Sequence, residues 1–379
     1  MMRWSLGLVL LTGVILCLSG CFPSAVSVGP DGRIALPRGE GIFLMDCEKG
    51  KALQIYDSSE GGPPSWVQWS PKGDRLLYVV SNEIFLIAPD GKGIKSLYKA
   101  PNTMGYCTWS PDGSSISVSE LVTSLNLNID EKEPKKEAEK EGGETIPRLT
   151  VIDARTGEKK LEKDNMALIH HFMPDGKSLV AFNLQEKEKD TGAYRGELVK
   201  IAIPGGDVTS LAKAVNMEWL DVAPSGEAVY LVARAPSRDA PPGKESSSQS
   251  LYRYDFTSKG FTSLFSNASG FVAVSPDSSR LIAVRKADGG AELVVMDPKG
   301  GDEKVVAGKV ATSAPDMGGG QIIPSWLSND EILYWRYVTV LAPDGKALMP
   351  FIVKADASKT TRALELIERM VTTAAKVKK

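Results

Sequence analysis

Two histidines, four cysteines and a scatter of Asp-Gly pairs are the residues through which this 379-residue chain could do chemistry. Imidazole would serve as a metal ligand or a general base. His170 and His171 are neighbours in the apolar, alternating run HHFMPDGKSLVAF. Successive residues of a strand point to opposite sides, so the two rings cannot close on one ion. One is expected to face a channel and the other the packing behind it. Nucleophilic catalysis has no foothold either, because the chain contains no G-x-S-x-G elbow and no C-x-x-C pair. Gly50-Lys51 lacks the Gly-rich run of a phosphate-binding loop. Asp31, Asp90, Asp112, Asp175 and Asp344 each precede glycine, but none has the ligand spacing of a calcium loop. They read as turns. No residue set is therefore assigned as catalytic, cofactor-binding or metal-binding.

Composition narrows the field. There are 45 Lys+Arg against 47 Asp+Glu, a net charge of -2, which removes the electrostatic case for nucleic-acid binding. Gly (36) and Pro (23) are numerous, so turns must be many. At about 150 residues per domain the length suggests two or three domains, a prior that fails for large all-β folds.

The N-terminus reads MMRWSLGLVLLTGVILCLSGCF, with Arg3 as its one charge. The apolar run Trp4 to Leu18 is shorter than the ~20 residues that span a bilayer as a helix. The other reading of the run is a plain N-terminal membrane anchor. Leu18-Ser19-Gly20-Cys21 resembles the lipobox of bacterial lipoproteins. That resemblance implies a signal peptide over 1–20, cleavage before Cys21 and lipid attachment at Cys21. Each buried CH₂ of the acyl chains would contribute roughly 0.8 kcal/mol to anchoring. Phe22 follows, where an Asp would retain a Gram-negative lipoprotein in the inner membrane. The outer membrane is therefore the expected address if the source is Gram-negative. The mature chain would carry 44 basic against 47 acidic residues, a net charge of -3, and keep Cys21, Cys47 and Cys107.

The elements that must position any site recur along the remainder. A short strand, a Pro/Asp/Gly turn and a second apolar strand appear seven times. The copies are VSVGPDGRIAL, VQWSPKGDRLLYVV, CTWSPDGSSISVS, HHFMPDGKSLVAF, DVAPSGEAVYLVA, VAVSPDSSRLIAV and PSWLSNDEILYW. Their turn prolines are Pro30, Pro71, Pro111, Pro174, Pro224 and Pro276, with Ser328 standing in the seventh. Pro presets φ at the first central position and Gly accepts φ > 0 at the exit. A third strand follows each pair, as in NEIFLIAPDG and AELVVMDPKGG, and then a short fourth such as IKSLY or FTSLF. Four strands per copy make a blade, so the expected fold is an all-β, seven-bladed β-propeller over 21–358, with six blades as the alternative. Each blade should take its strands from one stretch of chain, leaving apolar packing to close the ring. Trp66, Trp69, Trp109 and Trp326 lie in or beside inner strands and read as core, the alternative being a sugar-stacking platform.

The turn motif resembles the WD40-like (SPDG-type) repeat of the TolB propeller and, more distantly, the propellers of prolyl-oligopeptidase-type enzymes. What this implies is the fold. TolB carries a small α/β domain ahead of its blades, and the peptidases carry a hydrolase domain. Here the copies occupy nearly the whole mature chain, so neither function is carried over.

Long polar insertions fall near 123–146, 185–195 and 235–249, between the second and third strands of blades 3, 4 and 5. A further one, 308–321, joins blades 6 and 7. All would project from one face, the opposite face holding the short turns. They read either as disordered, tolerated insertions or as a recognition surface. The tail 359–379 places Ala363, Leu364, Ile367, Met370, Val371 and Ala374 at helical spacing and ends in lysines, a helix packed on the propeller edge or a partner-binding or membrane-surface helix. The expected function is an envelope lipoprotein, monomeric, binding a protein, peptide or cell-wall glycan through the loop-bearing face. The rival is a propeller enzyme acting on a glycan or lactone at the channel mouth with loop carboxylates.

Overall fold

The structure, a computed structural model, describes residues 26–38, 41–46, 49, 51–123, 145–187, 194–234, 249–288, 290–314, 320–321, 323–339 and 346–362. Cys21, Cys47, Asp344 and the tail from 363 onward lie outside these residues, as do the central parts of the insertions.

Alternating apolar and polar residues, cut by Pro/Gly turns, produce antiparallel blades of four strands in sequence order, with blades 4 and 5 joined through a shared strand and blades 6 and 7 through the pair Val310–Arg336. Blade 1 comprises Ser27–Val28, Ile34–Arg38, Gly41–Asp46 and Lys51–Asp57. Blade 2 runs from Trp66–Trp69 to Lys95–Lys99, and blade 3 from Thr103–Trp109 to Lys159–Asp164. Blade 4 opens with Met166–Phe172. Its outer strand continues without a break into the inner strand of blade 5, so Val208–Val222 serves both. Asn216, at φ 47°, lies where the pairing changes hands. Blade 6 runs from Ala268–Val274 to Lys304–Val310, and blade 7 from Ser325–Trp326 to Thr360–Arg362. The chain is thus a seven-bladed β-propeller, and six blades is ruled out by a complete fourth strand in every copy. The last blade reaches Arg362, beyond the boundary at 358 read from the repeats.

Each turn closes as its residues dictate. Gly73 N–H donates to Ser70 O at 3.0 Å, Gly113 to Ser110 O at 2.9 Å and Gly226 to Ala223 O at 2.7 Å. These glycines have φ of 69°, 72° and 75°. In the sixth copy Ser278 holds the same place at φ 62°.

The core lies between blades, not within them. Along strand Leu76–Val80 of blade 2, Leu76, Tyr78 and Val80 pack toward blade 1. Leu77 and Val79 pack toward blade 3. This is the two-residue period of a strand buried on both faces. Ring closure follows the same rule: Ile34, Phe43 and Met45 of blade 1 meet Leu333 of blade 7, with Leu327 and Trp335 against them. Strand pairing across the closure is absent among the described residues; apolar burial joins the ends, at about 1.5–3 kcal/mol per fully buried side chain.

Candidate functional site

Counting back from each turn proline aligns the seven inner strands. Four residues back stand Val67, Cys107, His170, Leu220 and Val272, all buried between blades. Three residues back stand Ser27, Gln68, Thr108, His171, Asp221, Ala273 and Ser325, most of them half-buried, as expected of groups lining a channel. Five residues back stand Trp66, Tyr106, Trp219 and Phe271, each nearly covered. Strand alternation puts the third and fifth positions on one side and the fourth on the other.

The two histidines therefore part as the alternation demands. His170 is fully covered, its Nε2 lying 2.8 Å from Ser117 Oγ and its Nδ1 3.3 Å from Ser119 Oγ. Burial, helped by the neighbouring His171, pushes its pKa down to about 3, so the ring is neutral. His171 keeps 23% of its side chain exposed and meets Asp221, which keeps 19%. His171 Nδ1 is 3.5 Å from Asp221 Oδ1. Its Nε2 is 3.3 Å from Tyr106 Oη. Asp221 also accepts the N–H groups of Val222 (2.8 Å) and Val274 (2.9 Å). Burial lowers the His171 pKa and raises that of Asp221, while each partner's charge opposes the shift of the other. Burial, followed by the Asp221 charge, raises the Tyr106 pKa.

The aromatic layer beside this pair is continuous. Tyr106 contacts Trp66 at 5.3 Å between ring centroids, His171 at 5.7 Å and Trp219 at 6.4 Å, and Trp219 contacts Phe271 at 5.4 Å. Trp66, Trp69, Trp109 and Trp326 are all buried, as read from the sequence. Arg33 lies over Trp69 and Arg75 over Trp109, each guanidinium one turn away on the neighbouring blade.

Tyr106 and Asp221 were not singled out by sequence reasoning. Their signal was available: aligned on the turn proline, the third position back is a polar column running through apolar strands. Cys107 is buried at the interface of blades 2 and 3. Among the described residues no group of three or more His, Cys, Asp or Glu side chains could hold a metal ion.

On the loop-bearing face the stems of the three large insertions are paired to their ends: Thr123 with Thr145, Lys187 with Tyr194, and Ala233 with Ser250. Part of the segment 185–195 is therefore strand, not loop. In 308–321 the strand extends to Val310, and Ser313–Ala314 pairs with Gly320–Gln321. Beside the first stem lies an open depression of about 520 Å³ lined by Ser81, Asn82, Pro101, Asn102, Thr103 and Leu121, with no charged group among them. The carboxylates held below their usual range sit on the opposite face. Ser110 Oγ–H stabilises Asp112, and Ser275 Oγ–H stabilises Asp277, each in its own turn.

No protein-family model matches the chain. One curated relative, the uncharacterized peptidase YuxL of Bacillus subtilis, is 26% identical over 36% of this chain and 26% of its own length, so the match spans about a quarter of that protein. Among solved structures, oligogalacturonate lyase from Vibrio parahaemolyticus superposes with a TM-score of 0.59 at 14% identity, over 83% of this chain and 86% of its own. The acylaminoacyl peptidase of Pyrococcus horikoshii gives 0.60 at 12% identity, over 90% of this chain and 52% of its own. TolB from Acinetobacter baumannii gives 0.47, over 86% of this chain and 77% of its own. At these identities the likeness to the lyase and the acylaminoacyl peptidase is one of fold.

Proposed function

We propose that the chain is an exported lipoprotein, anchored through Cys21, that binds an envelope protein, a peptide or a cell-wall glycan on the loop-bearing face of its propeller. The observation that carries this reading is the placement of the three hairpin stems. Blades 3, 4 and 5 are consecutive, and each sends its longest insertion from the same edge. A rigid sheet pair ends each insertion, which is how propellers and other scaffolds present binding loops. The uncharged depression beside the first stem adds hydroxyl and carboxamide groups suited to a neutral ligand. The lipobox supplies the address.

Two measurements test it. Cys21→Ala should remove membrane partitioning, and protein that stays membrane-bound after a high-salt wash would refute the anchor. Deleting 126–144 should leave the fold intact, because Thr123 and Thr145 already face each other and closure entropy varies slowly with loop length. Crosslinked capture from the membrane fraction should then lose its partner. Unchanged capture after this deletion and after removal of 235–248 would refute the recognition surface.

The second reading is an enzyme acting on a glycan or lactone at the channel mouth. The His171–Asp221 contact favours it, since a carboxylate-oriented imidazole is a general-base arrangement. Turnover of such substrates that survives Asp221→Asn would refute that role.

A further inference from the structure

Cys21 lies only five residues ahead of Val26, the first described residue, which leads directly into the inner strand of blade 1. We propose that this short connection lays the loop-bearing face of the propeller on the membrane surface, with the rim of blades 7, 1 and 2 against lipid headgroups. The proposal rests on the reading of Cys21 as the lipid-attachment residue and adds to it an orientation.

The depth of Val26 in the ring is fixed by its neighbours. It stands four residues before Pro30, level with Val67, Cys107, His170 and Val272 in their own blades. Ser27 holds that level, its Oγ accepting the Trp69 N–H at 2.9 Å as Asp221 accepts the Val274 N–H. Val26 itself packs into the apolar seam between blades 1 and 7, with Leu36, Leu327 and Trp335. The complete inner strands Thr103–Trp109, Met166–Phe172 and Ala268–Val274 begin eight residues before their turn prolines. Val26 therefore lies four residues, about 13 Å, in from the edge where the insertions leave. Inner strands run from that edge toward the short turns, so the chain arrives at Val26 from the loop-bearing side. An extended chain covers at most roughly 3.3–3.6 Å per residue, which puts Cys21 no more than about 18 Å from Val26 and no more than about 5 Å beyond the edge. The headgroup layer of a bilayer is itself roughly 5–8 Å thick on each side. Acyl chains on Cys21 that are buried in hydrocarbon thus bring the edge down to the headgroups.

The rest of the ring agrees with this orientation. Each of the seven short turns on the far face carries a carboxylate, from Asp31 in blade 1 to Asp330 in blade 7. That face stands about 30 Å from the lipid, the length of the nine-residue strand Ser115–Thr123. Near the loop-bearing edge of blade 7, the Arg336 guanidinium lies 4.0 Å from the Phe351 ring centroid, and its Nε has no hydrogen-bond partner among the described residues. A headgroup phosphate supplies the acceptor a guanidinium takes best. The three large insertions are centred on blade 4, across the ring from blade 1, so they occupy a different sector of the same face. A partner gripped by them is met at the membrane surface, which favours one held in the same membrane over a distant wall layer.

The test uses the full chain, purified from the membrane fraction and placed in vesicles of phosphatidylethanolamine and phosphatidylglycerol that include a lipid with a nitroxide quencher on its headgroup. A fluorophore is attached at Lys99→Cys or Lys286→Cys near the loop-bearing edge, or at Lys72→Cys or Lys177→Cys in the far turns. All four positions are exposed; the background is Cys47→Ser, and Cys107 is buried. The first two labels should lose most of their emission and the second two should keep theirs. A flexible Gly/Ser linker of about 20 residues inserted after Ser24, with an r.m.s. reach of about 25 Å, should restore emission without releasing the protein from the vesicles. Equal quenching on both faces, stronger quenching at the turns, or quenching that survives the linker would overturn the proposal while the anchor stands. Labels that quench one another between molecules, and not through lipid, would put a second copy on the face and overturn it as well. Failure of the protein to float with the vesicles would instead refute lipid attachment at Cys21, and the proposal with it.

Discussion

Gln68 Oε1 accepts the backbone N–H of Trp109, one blade further on, at 3.2 Å. The same link recurs from Ser27 Oγ to Trp69 N–H at 2.9 Å and from Asp221 Oδ2 to Val274 N–H at 2.9 Å. In each case the residue three back from one turn proline holds the residue two back from the next. The N–H it satisfies belongs to an inner strand that has a ladder partner on one side only, so the side chain replaces a missing neighbour. These links join blades that share no strand pairing.

Removing one should therefore destabilise the ring at a blade boundary. Gln68→Leu leaves the Trp109 N–H, and the Thr108 hydroxyl that Gln68 also contacts, without that partner. The expected cost is about 1–3 kcal/mol, read as a lowered urea midpoint. Gln68→Glu keeps an acceptor and should lose less. Equal losses in the two variants would refute the role of the acceptor.

The sixth turn predicts a stabilising change. Ser278 is held at φ 62°, where glycine stands in the other proline-bearing turns. A left-handed conformation costs a side chain of L configuration roughly 1–2 kcal/mol, part of which glycine returns through its larger freedom when unfolded. Ser278→Gly should stabilise the fold by an amount of order 0.5 kcal/mol and so raise the thermal midpoint. Gly113→Ser, the reverse change in blade 3, should lower it. A lowered midpoint for Ser278→Gly, or a raised one for Gly113→Ser, would contradict the turn assignment.

Stability should decline with acid before the carboxylates titrate. The pKa of His170 falls to about 3 in the fold, below its ordinary value of about 6.5, so the unfolded chain binds the proton more readily. The sign follows: stability is unaffected above about pH 6.5 and is lost as pH falls toward about 3, with a slope approaching 1.4 kcal/mol per pH unit. The turn aspartates act later, because Asp112 and Asp277, with lowered pKa values, lose their contribution only below the ordinary carboxylate range. His170→Asn should flatten the dependence between about pH 6 and 4.5. An unchanged slope in denaturant titrations would refute it.

Cys107 should be inert while the protein is folded. It is buried in the blade 2–3 core, and burial raises its thiol pKa, which removes the reactive thiolate. Alkylating reagent should label it only in denaturant. Blade 2 stands between Cys107 and blade 1, whose third strand ends at Asp46 beside Cys47. Non-reducing mass spectrometry should therefore find no Cys47–Cys107 bond.

The sequence by itself determined the repeat, the order of the strands and the face from which the insertions leave, while the complete fourth strand of every copy decided seven blades over six. The reason is local: a strand's two-residue period and the φ demands of Pro and Gly act within a few residues, and the motif repeats seven times. The same period also split His170 from His171 before any coordinates were needed. It did not reveal that His171 meets Tyr106 and Asp221, which are 65 and 50 positions away. Those contacts arise because the ring brings three inner strands around one axis, and the phase between neighbouring blades is set by packing of their broad apolar faces. Only that packing decided that a half-buried histidine faces a carboxylate and a phenol, and so which protons the channel can hold.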